Sequence, residues 1–141
     1  MADQTGKLRL TLVTRERKLL DLDVEEVVLP GIEGYFGVLP GHTPLLAMLR
    51  IGALTYRAAG KETQLVLSWG FVEVLPDRVI VLAEVAFTSQ EIDPATAERE
   101  LRDAERELAA LASHDEGFAR AEAKLEESIA KIQVATGRIP H

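Results

Sequence analysis

The hydrophobic period of the chain changes once, near residue 91, and that change limits the fold more than any single motif does. Before it, apolar residues recur in short period-two runs, the mark of strands with one buried face. The segment "KLRLTLVT" (Lys7–Thr14) puts Leu8, Leu10 and Leu12 on one side. Val24–Leu29, Ala53–Ala58, Thr63–Leu67, Phe71–Leu75 and Arg78–Glu84 repeat the pattern. The breaks between them hold Gly31, Gly52, Ala59-Gly60, Gly70 and Pro76-Asp77, residues suited to tight turns. Roughly eight to ten short strands in about 85 residues predict an antiparallel β-sandwich or barrel.

After residue 91 the period is helical. Ala97, Leu101, Ala104, Leu108 and Leu111 recur at steps of four and three and form one apolar stripe. Asp93 suits an N-cap, and Pro94 suits the first helical position, where its missing N–H costs nothing. A break at Ser113–Gly117 precedes a second stripe of Phe118, Ala121, Leu125, Ile129 and Ile132, closed by Gly137 and Pro140. Two such helices with a short connection predict an antiparallel hairpin. The expected class is therefore α+β, with a sandwich over residues 1–88 followed by a helical hairpin over 89–141. Alanine at the seams buries little area at about 25 cal/mol per Å², so the hairpin is expected to be the less stable part, able to dock and undock.

Charge narrows the partners. The net charge of −7 comes without a basic patch, which disfavours nucleic acid and anionic lipid and leaves other proteins as the expected partners. Cysteine is absent, so disulfide and thiolate chemistry are excluded. No apolar run approaches the roughly 18–20 residues of a membrane span, and the first residues lack the apolar core of a secretory signal. A cytoplasmic setting is expected.

The sequence carries no pattern of a catalytic group, metal site or cofactor site. His42, His114 and His141 lie far apart, and no H-E-x-x-H is present. Ser68 precedes Trp69-Gly70 without a G-x-S-x-G elbow. The neighbouring carboxylates Glu25-Glu26 and Glu126-Glu127 diverge, as adjacent side chains on a strand or helix do. The glycine-rich stretch "GIEGYFGVLPGHTPLLAML" (Gly31–Leu49) contains neither G-K-[ST] nor G-x-G-x-x-G. In it Pro40-Gly41 reads as a turn and "TPLLAML" as re-entry into the core; a folding role and a partner surface both fit.

The helices carry clustered cations. Arg120, Lys124 and Lys131 fall within about 40° of one another on a helical wheel, and Arg99, Arg102 and Arg106 cluster on the first helix. Glu98/Arg102 and Glu127/Lys131 stand at the favourable i,i+4 spacing. A solvated, ion-paired face and a docking surface for an acidic partner both fit this pattern.

One longer stretch is specific. "EGYFGVLPGHTPLLAMLRIG" (Glu33–Gly52) resembles the signature G-x-(F/L)-G-(I/V)-x-P-G-H-x-P-L of the epsilon subunit of bacterial F-type ATP synthases. "VLAEVA" (Val81–Ala86), Ile92-Asp93 and the hairpin follow in the order of that family, over nearly the whole chain. The resemblance implies a non-catalytic subunit of the rotor stalk that couples the catalytic head to a proton-translocating ring of c subunits. Its sandwich would grip the gamma subunit and sit on that c-ring. Its hairpin would lie folded, or rise along gamma among the catalytic alpha and beta subunits and block ATP hydrolysis. A peripheral place on the cytoplasmic face of the bacterial inner membrane is implied, held there only through the complex.

By position, the resemblance sets Tyr35 and His42 against the polar loops of the c-ring. It sets Arg120, Lys124 and Lys131 against acidic segments of the catalytic subunits in the raised state. The ATP-binding motif I/L-D-x-x-R-A of some members falls on Ile92, Asp93 and Ala97, with Thr96 in the arginine's place. Glu127 also stands where an ATP-binding member carries a basic residue, although Lys131 remains. Neither replacement can pair with phosphate, so weak or absent ATP binding is expected. The other class of reading is a stand-alone β-sandwich binding module with a helical dimerisation arm.

Overall fold

The computed structural model describes residues 7–137. Eight strands come first: β1 (Leu8–Val13), β2 (Lys18–Val24), β3 (Glu26–Gly31), β4 (Gly34–Val38), β5 (Leu45–Leu49), β6 (Gly52–Ala58), β7 (Lys61–Leu75) and β8 (Arg78–Thr88). A single 3-10 turn (Ser89–Glu91) leads to helices α1 (Pro94–Ala109) and α2 (Phe118–Thr136). The α+β architecture is the one expected from the change of period. Strand order is β2-β1-β8-β7-β5-β3-β4, with β6 joining β3 to β7. All pairs are antiparallel except β1 with β8.

The sheet folds over on itself at one corner, and β7 shows how. Leu65 and Leu67 point into the core at odd positions, whereas Val72 and Val74 do so at even ones. Between them Trp69 has φ +44, a left-handed conformation that shifts the alternation by one residue. Its neighbours turn at the same level. Leu49 pairs with Gly70 and Gly52 with Leu67, so β5 and β6 keep one register with β7 across the gap at Arg50-Ile51. On β8, burial passes from Val79, Val81 and Ala83 to Ala86. Bends of this kind let strands cross from one packed layer to the other.

The corner corrects one expectation. Gly70 does not separate two strands; it lies within one strand of 15 residues. A Cβ there would lie 2.1 Å from the Leu82 carbonyl oxygen, so glycine is needed for close approach to β8. Strands β2, β4 and β5 were not expected. β2 and β4 are the two edges, where one side of the backbone is open and the alternation weak. β5 is apolar at every position, which hides any period.

The core between the layers is leucine and valine, including Leu8, Leu10, Leu12, Leu29, Leu54 and Leu65. At about 1.5–3 kcal/mol for each buried large aliphatic side chain, these residues dominate stability. One polar group interrupts the pattern. Thr55 is buried, and its Oγ1 has no hydrogen-bond partner among the described residues. Thr55→Val keeps the shape and removes the orphaned hydroxyl, so it is expected to stabilise by about 1 kcal/mol. A lower denaturant midpoint for this variant would show the hydroxyl to be satisfied.

The hairpin is built as its sequence suggests. Asp93 is the α1 N-cap and Pro94 opens the helix, while α2 ends at Gly137 with φ +74. The predicted Pro140 stop, Arg138 and His141 lie outside the described residues. Helix α2 packs against α1 and against β6 and β7. The buried residues within the two helices are small: Ala97 and Ala104 on α1; Ala121, Ser128, Ala130 and Val134 on α2. Two details of the stripes differ from expectation. Leu111 lies past the end of α1, and Ile129 is exposed while Ser128 is buried. Helix α2 buries two faces, one on the sheet and one on α1. Ser128 shares the groove with Ala104, where a small side chain is needed.

Candidate functional site

Three surfaces are prepared for contact. The first is an apolar sheet face. Met48 pairs with Phe71, and Phe71 pairs with Leu82, so these side chains form a row across β5, β7 and β8. Each is about half exposed, and Trp69 and Val85 are further exposed apolar residues of β7 and β8 near the corner. Such a contiguous apolar patch marks an interaction site. It also overturns the reading of "TPLLAML" as re-entry into the core. Only Leu49 of β5 is buried, whereas Leu46 is 73% exposed. Alternation gave the available signal: with Val72 and Val74 inside, Phe71 must face out.

The second surface is the free edge of β4 with the turn that follows it. The turn Leu39–His42 closes with the His42 N–H donating to the Leu39 carbonyl at 3.1 Å. Gly41 has φ +86, so Pro40-Gly41 form the centre of a type II turn, which needs glycine there. The His42 Nδ1 lies 2.6 Å from the Thr43 carbonyl and must donate to it. Tyr35 is half-buried, and its hydroxyl accepts from the Ala53 N–H at 3.0 Å. Tyr35 pairs with Pro30 near the β3–β4 turn, whereas His42 lies beyond the other end of β4. The two thus mark opposite ends of one edge. Beside it, a groove of about 530 Å³ runs between the β3–β4 turn and β5, lined by Ile32, Leu45, Leu46 and Met48.

The third surface is the hairpin, whose three expected cations differ in state. Arg120 is exposed and has no ion pair among the described residues. Lys124 stands 4.0 Å from Glu107 and is mostly exposed. Lys131 is held by Glu127 at 3.2 Å and Glu100 at 3.7 Å. Of the two i,i+4 pairs expected, Glu127/Lys131 forms, whereas Glu98/Arg102 does not approach within 4.0 Å.

At the predicted nucleotide motif, Ile92 is buried against Ala97, Ala130 and Val134. The Asp93 carboxylate accepts from the Thr96 hydroxyl at 2.6 Å, which holds it below the usual aspartate range. Ile92, Asp93 and Ala97 are thus brought together, but around a hydroxyl where the motif has a guanidinium.

The joint between sandwich and hairpin has its own lock. The Glu91 carboxylate accepts from the Thr88 N–H at 2.9 Å and the Thr88 hydroxyl at 3.0 Å, and it pairs with Arg17 at 2.8 Å. The Thr88 backbone bond first, then Arg17, hold its carboxyl below the usual glutamate range. A depressed carboxyl stabilises the fold above its unfolded pKa and loses that effect as pH falls through the folded value. The joint is expected to weaken below about pH 4.5. Glu91→Gln is expected to flatten the acid limb of a plot of denaturant midpoint against pH; parallel profiles would refute the lock.

A two-layer body with an apolar face, a shaped free edge and an appended helical hairpin has the form of a protein-docking subunit. The β-sandwich domain model of the ATP synthase delta/epsilon chain matches residues 7–89, and the long α-helix domain model of the same chain matches 90–136. The chain belongs to this ATP synthase delta/epsilon family. It is 43% identical to ATP synthase epsilon chain 2 of Syntrophotalea carbinolica, over 92% of this chain and 94% of the relative. It is 45% identical, over the same shares, to the ATP synthase epsilon chain of Geobacter sp. strain M21. Among solved structures, it matches a chain of the Euglena gracilis mitochondrial ATP synthase OSCP/F1/c-ring assembly. That match has a TM-score of 0.78 and 28% identity, over 89% of this chain and 79% of that one. No helix among the described residues is long and apolar enough to cross a membrane.

Proposed function

We propose that the chain is the non-catalytic epsilon-type subunit of the central stalk of an F-type ATP synthase, peripheral on the cytoplasmic face of a bacterial inner membrane. The observation that carries this reading is the pairing of an apolar sheet face with a helical hairpin docked on the body through Ile92, Ala97, Ala130 and Val134. The Met48–Phe71–Leu82 face suits a permanent partner, and gamma is its occupant in this reading. The β4 edge, with Tyr35 and His42 at its ends and the apolar groove beside it, meets the polar loops of the c-ring. The sandwich over residues 1–88 is the fixed part. The hairpin over 89–141 is the mobile part, which rises between the alpha and beta subunits and restrains ATP hydrolysis. Arg120 and Lys124 are available to acidic segments there, and Lys131 becomes so only on lifting.

Comparing ATP hydrolysis by the assembled enzyme with and without residues 92–141 tests this function. Faster hydrolysis after truncation is expected, and unchanged hydrolysis would remove the regulatory role. Pull-down from native membranes is expected to recover gamma and the catalytic subunits. A clean homodimer without them would favour a stand-alone module with a helical dimerisation arm.

Nucleotide control is expected to be weak. Thr96 and Glu127 supply no positive charge for phosphates, and Lys131 is already paired with two carboxylates. Titration calorimetry with ATP is expected to show no saturable heat at micromolar concentrations. A micromolar dissociation constant would overturn this.

A further inference from the structure

Lys131 differs from the other cations of α2 in the number of elements it joins. Its side chain is only 13% exposed. Its Nζ lies 3.2 Å from Glu127 on α2, 3.7 Å from Glu100 on α1 and 4.4 Å from the centre of the Phe87 ring on β8. One ammonium group therefore ties α2 both to α1 and to the sandwich. Around it the hairpin contact mixes small and branched side chains, with Ile92, Ala97, Ala130 and Val134 against Ala53 and Val66 and with Phe87 and Ile132 at its margin. Lys131 is shielded although Glu100 and Glu127 keep 47% and 30% of their side chains exposed, and ion pairs and cation–π contacts of an ammonium strengthen as water is excluded from it.

We propose that Glu100 and Glu127 act as an internal substitute for an acidic partner surface and compete with it for Lys131. The cluster thereby sets how readily α2 leaves both β8 and α1. This rests on the regulatory reading of the hairpin given above. Lifting α2 away from β8 and α1 removes the Phe87 and Glu100 contacts, so Lys131 must be rehydrated or meet new carboxylates. The same positive charge thus favours both end states, whereas Glu100 and Phe87 favour only the folded one.

That asymmetry predicts opposite effects from the two sides of the cluster. Glu100→Gln with Glu127→Gln loosens the folded state and leaves Lys131 free to meet acidic partners. Lys131→Gln loosens the folded state and also removes the partner contact. The absence of cysteine allows dye pairs at introduced Ser113→Cys and Lys61→Cys to report docking by energy transfer in the assembled enzyme. Transfer is expected to fall in both variants. Hydrolysis is expected to fall about threefold in the double glutamine variant and to hold or rise with Lys131→Gln. Phe87→Leu, which keeps an apolar side chain and removes the ring attraction, is expected to follow the double variant. Unchanged transfer, or hydrolysis moving the same way in the double variant and Lys131→Gln, would overturn the competition. If truncation of residues 92–141 leaves wild-type hydrolysis unchanged, the regulatory reading fails, while energy transfer still decides whether the cluster holds the hairpin.

Discussion

Replacing Gly70 with alanine is expected to destabilise the sandwich by about 3 kcal/mol or more and to lower the thermal midpoint by roughly 10 °C. The added Cβ would stand 2.1 Å from the Leu82 carbonyl oxygen and 2.9 Å from the Ala83 Cα. Both obstacles are backbone, so no rotamer change relieves them; β7 and β8 must part at the corner. Gly60→Ala is the matched control. Gly60 has φ +77 but nothing within 4 Å of where a Cβ would stand, so alanine there meets only backbone strain of about 1 kcal/mol. A thermal or denaturant melt in which Gly70→Ala costs no more than Gly60→Ala would show that the corner opens freely.

The second large effect concerns partner binding. Phe71→Asp is expected to weaken association with a purified gamma-type partner about a hundredfold, the loss of roughly 2.7 kcal/mol. Phe71 is at the centre of the Met48–Phe71–Leu82 row, with half its surface uncovered. A carboxylate there must be desolvated by any apolar partner. Because Phe71 lies outside the core, the fold itself is expected to change by under about 0.5 kcal/mol. Calorimetric or interferometric titration, paired with a denaturant melt, separates the two quantities. Undiminished binding by the folded variant would remove this face from the interface.

The corner also explains how far the sequence could be read. The shift from Leu65 and Leu67 to Val72 and Val74 is visible as a slip in period-two phase, with Gly70 beside it. A phase slip next to glycine reads equally as a turn between two strands. Only the long-range register with β5, β6 and β8 separates the two cases. The helices were legible because their evidence is local: Asp93-Pro94 at one start, Gly137 at one end, and a stripe between. Ile129 escaped because α2 faces two neighbours, and a single-stripe reading allows one.

The candidate site was legible where it depends on backbone chemistry and obscure where it depends on what covers it. Pro40-Gly41 announces a type II turn, and the turn is present. The apolar "TPLLAML" announces burial, yet Leu45, Leu46 and Met48 remain uncovered in the isolated chain. Hydrophobicity records that a residue leaves water, not which molecule removes it. Lys131 posed the same difficulty with charge. Helical spacing foretold its pair with Glu127, while Glu100 and Phe87 come from elements 31 and 44 residues away.

A body whose two layers share continuous strands behaves mechanically unlike two sheets pressed together. Separate sheets can slide over one another, because only side-chain packing resists shear. Here β7 passes from the level of Val66, under the hairpin, to that of Phe71 on the outer face without leaving its hydrogen-bonded ladder with β8. A sideways load entering at one layer is therefore carried into the other along covalent backbone, as in a bent beam. A coupling in a turning shaft needs that stiffness, and it resides in the bend at Trp69.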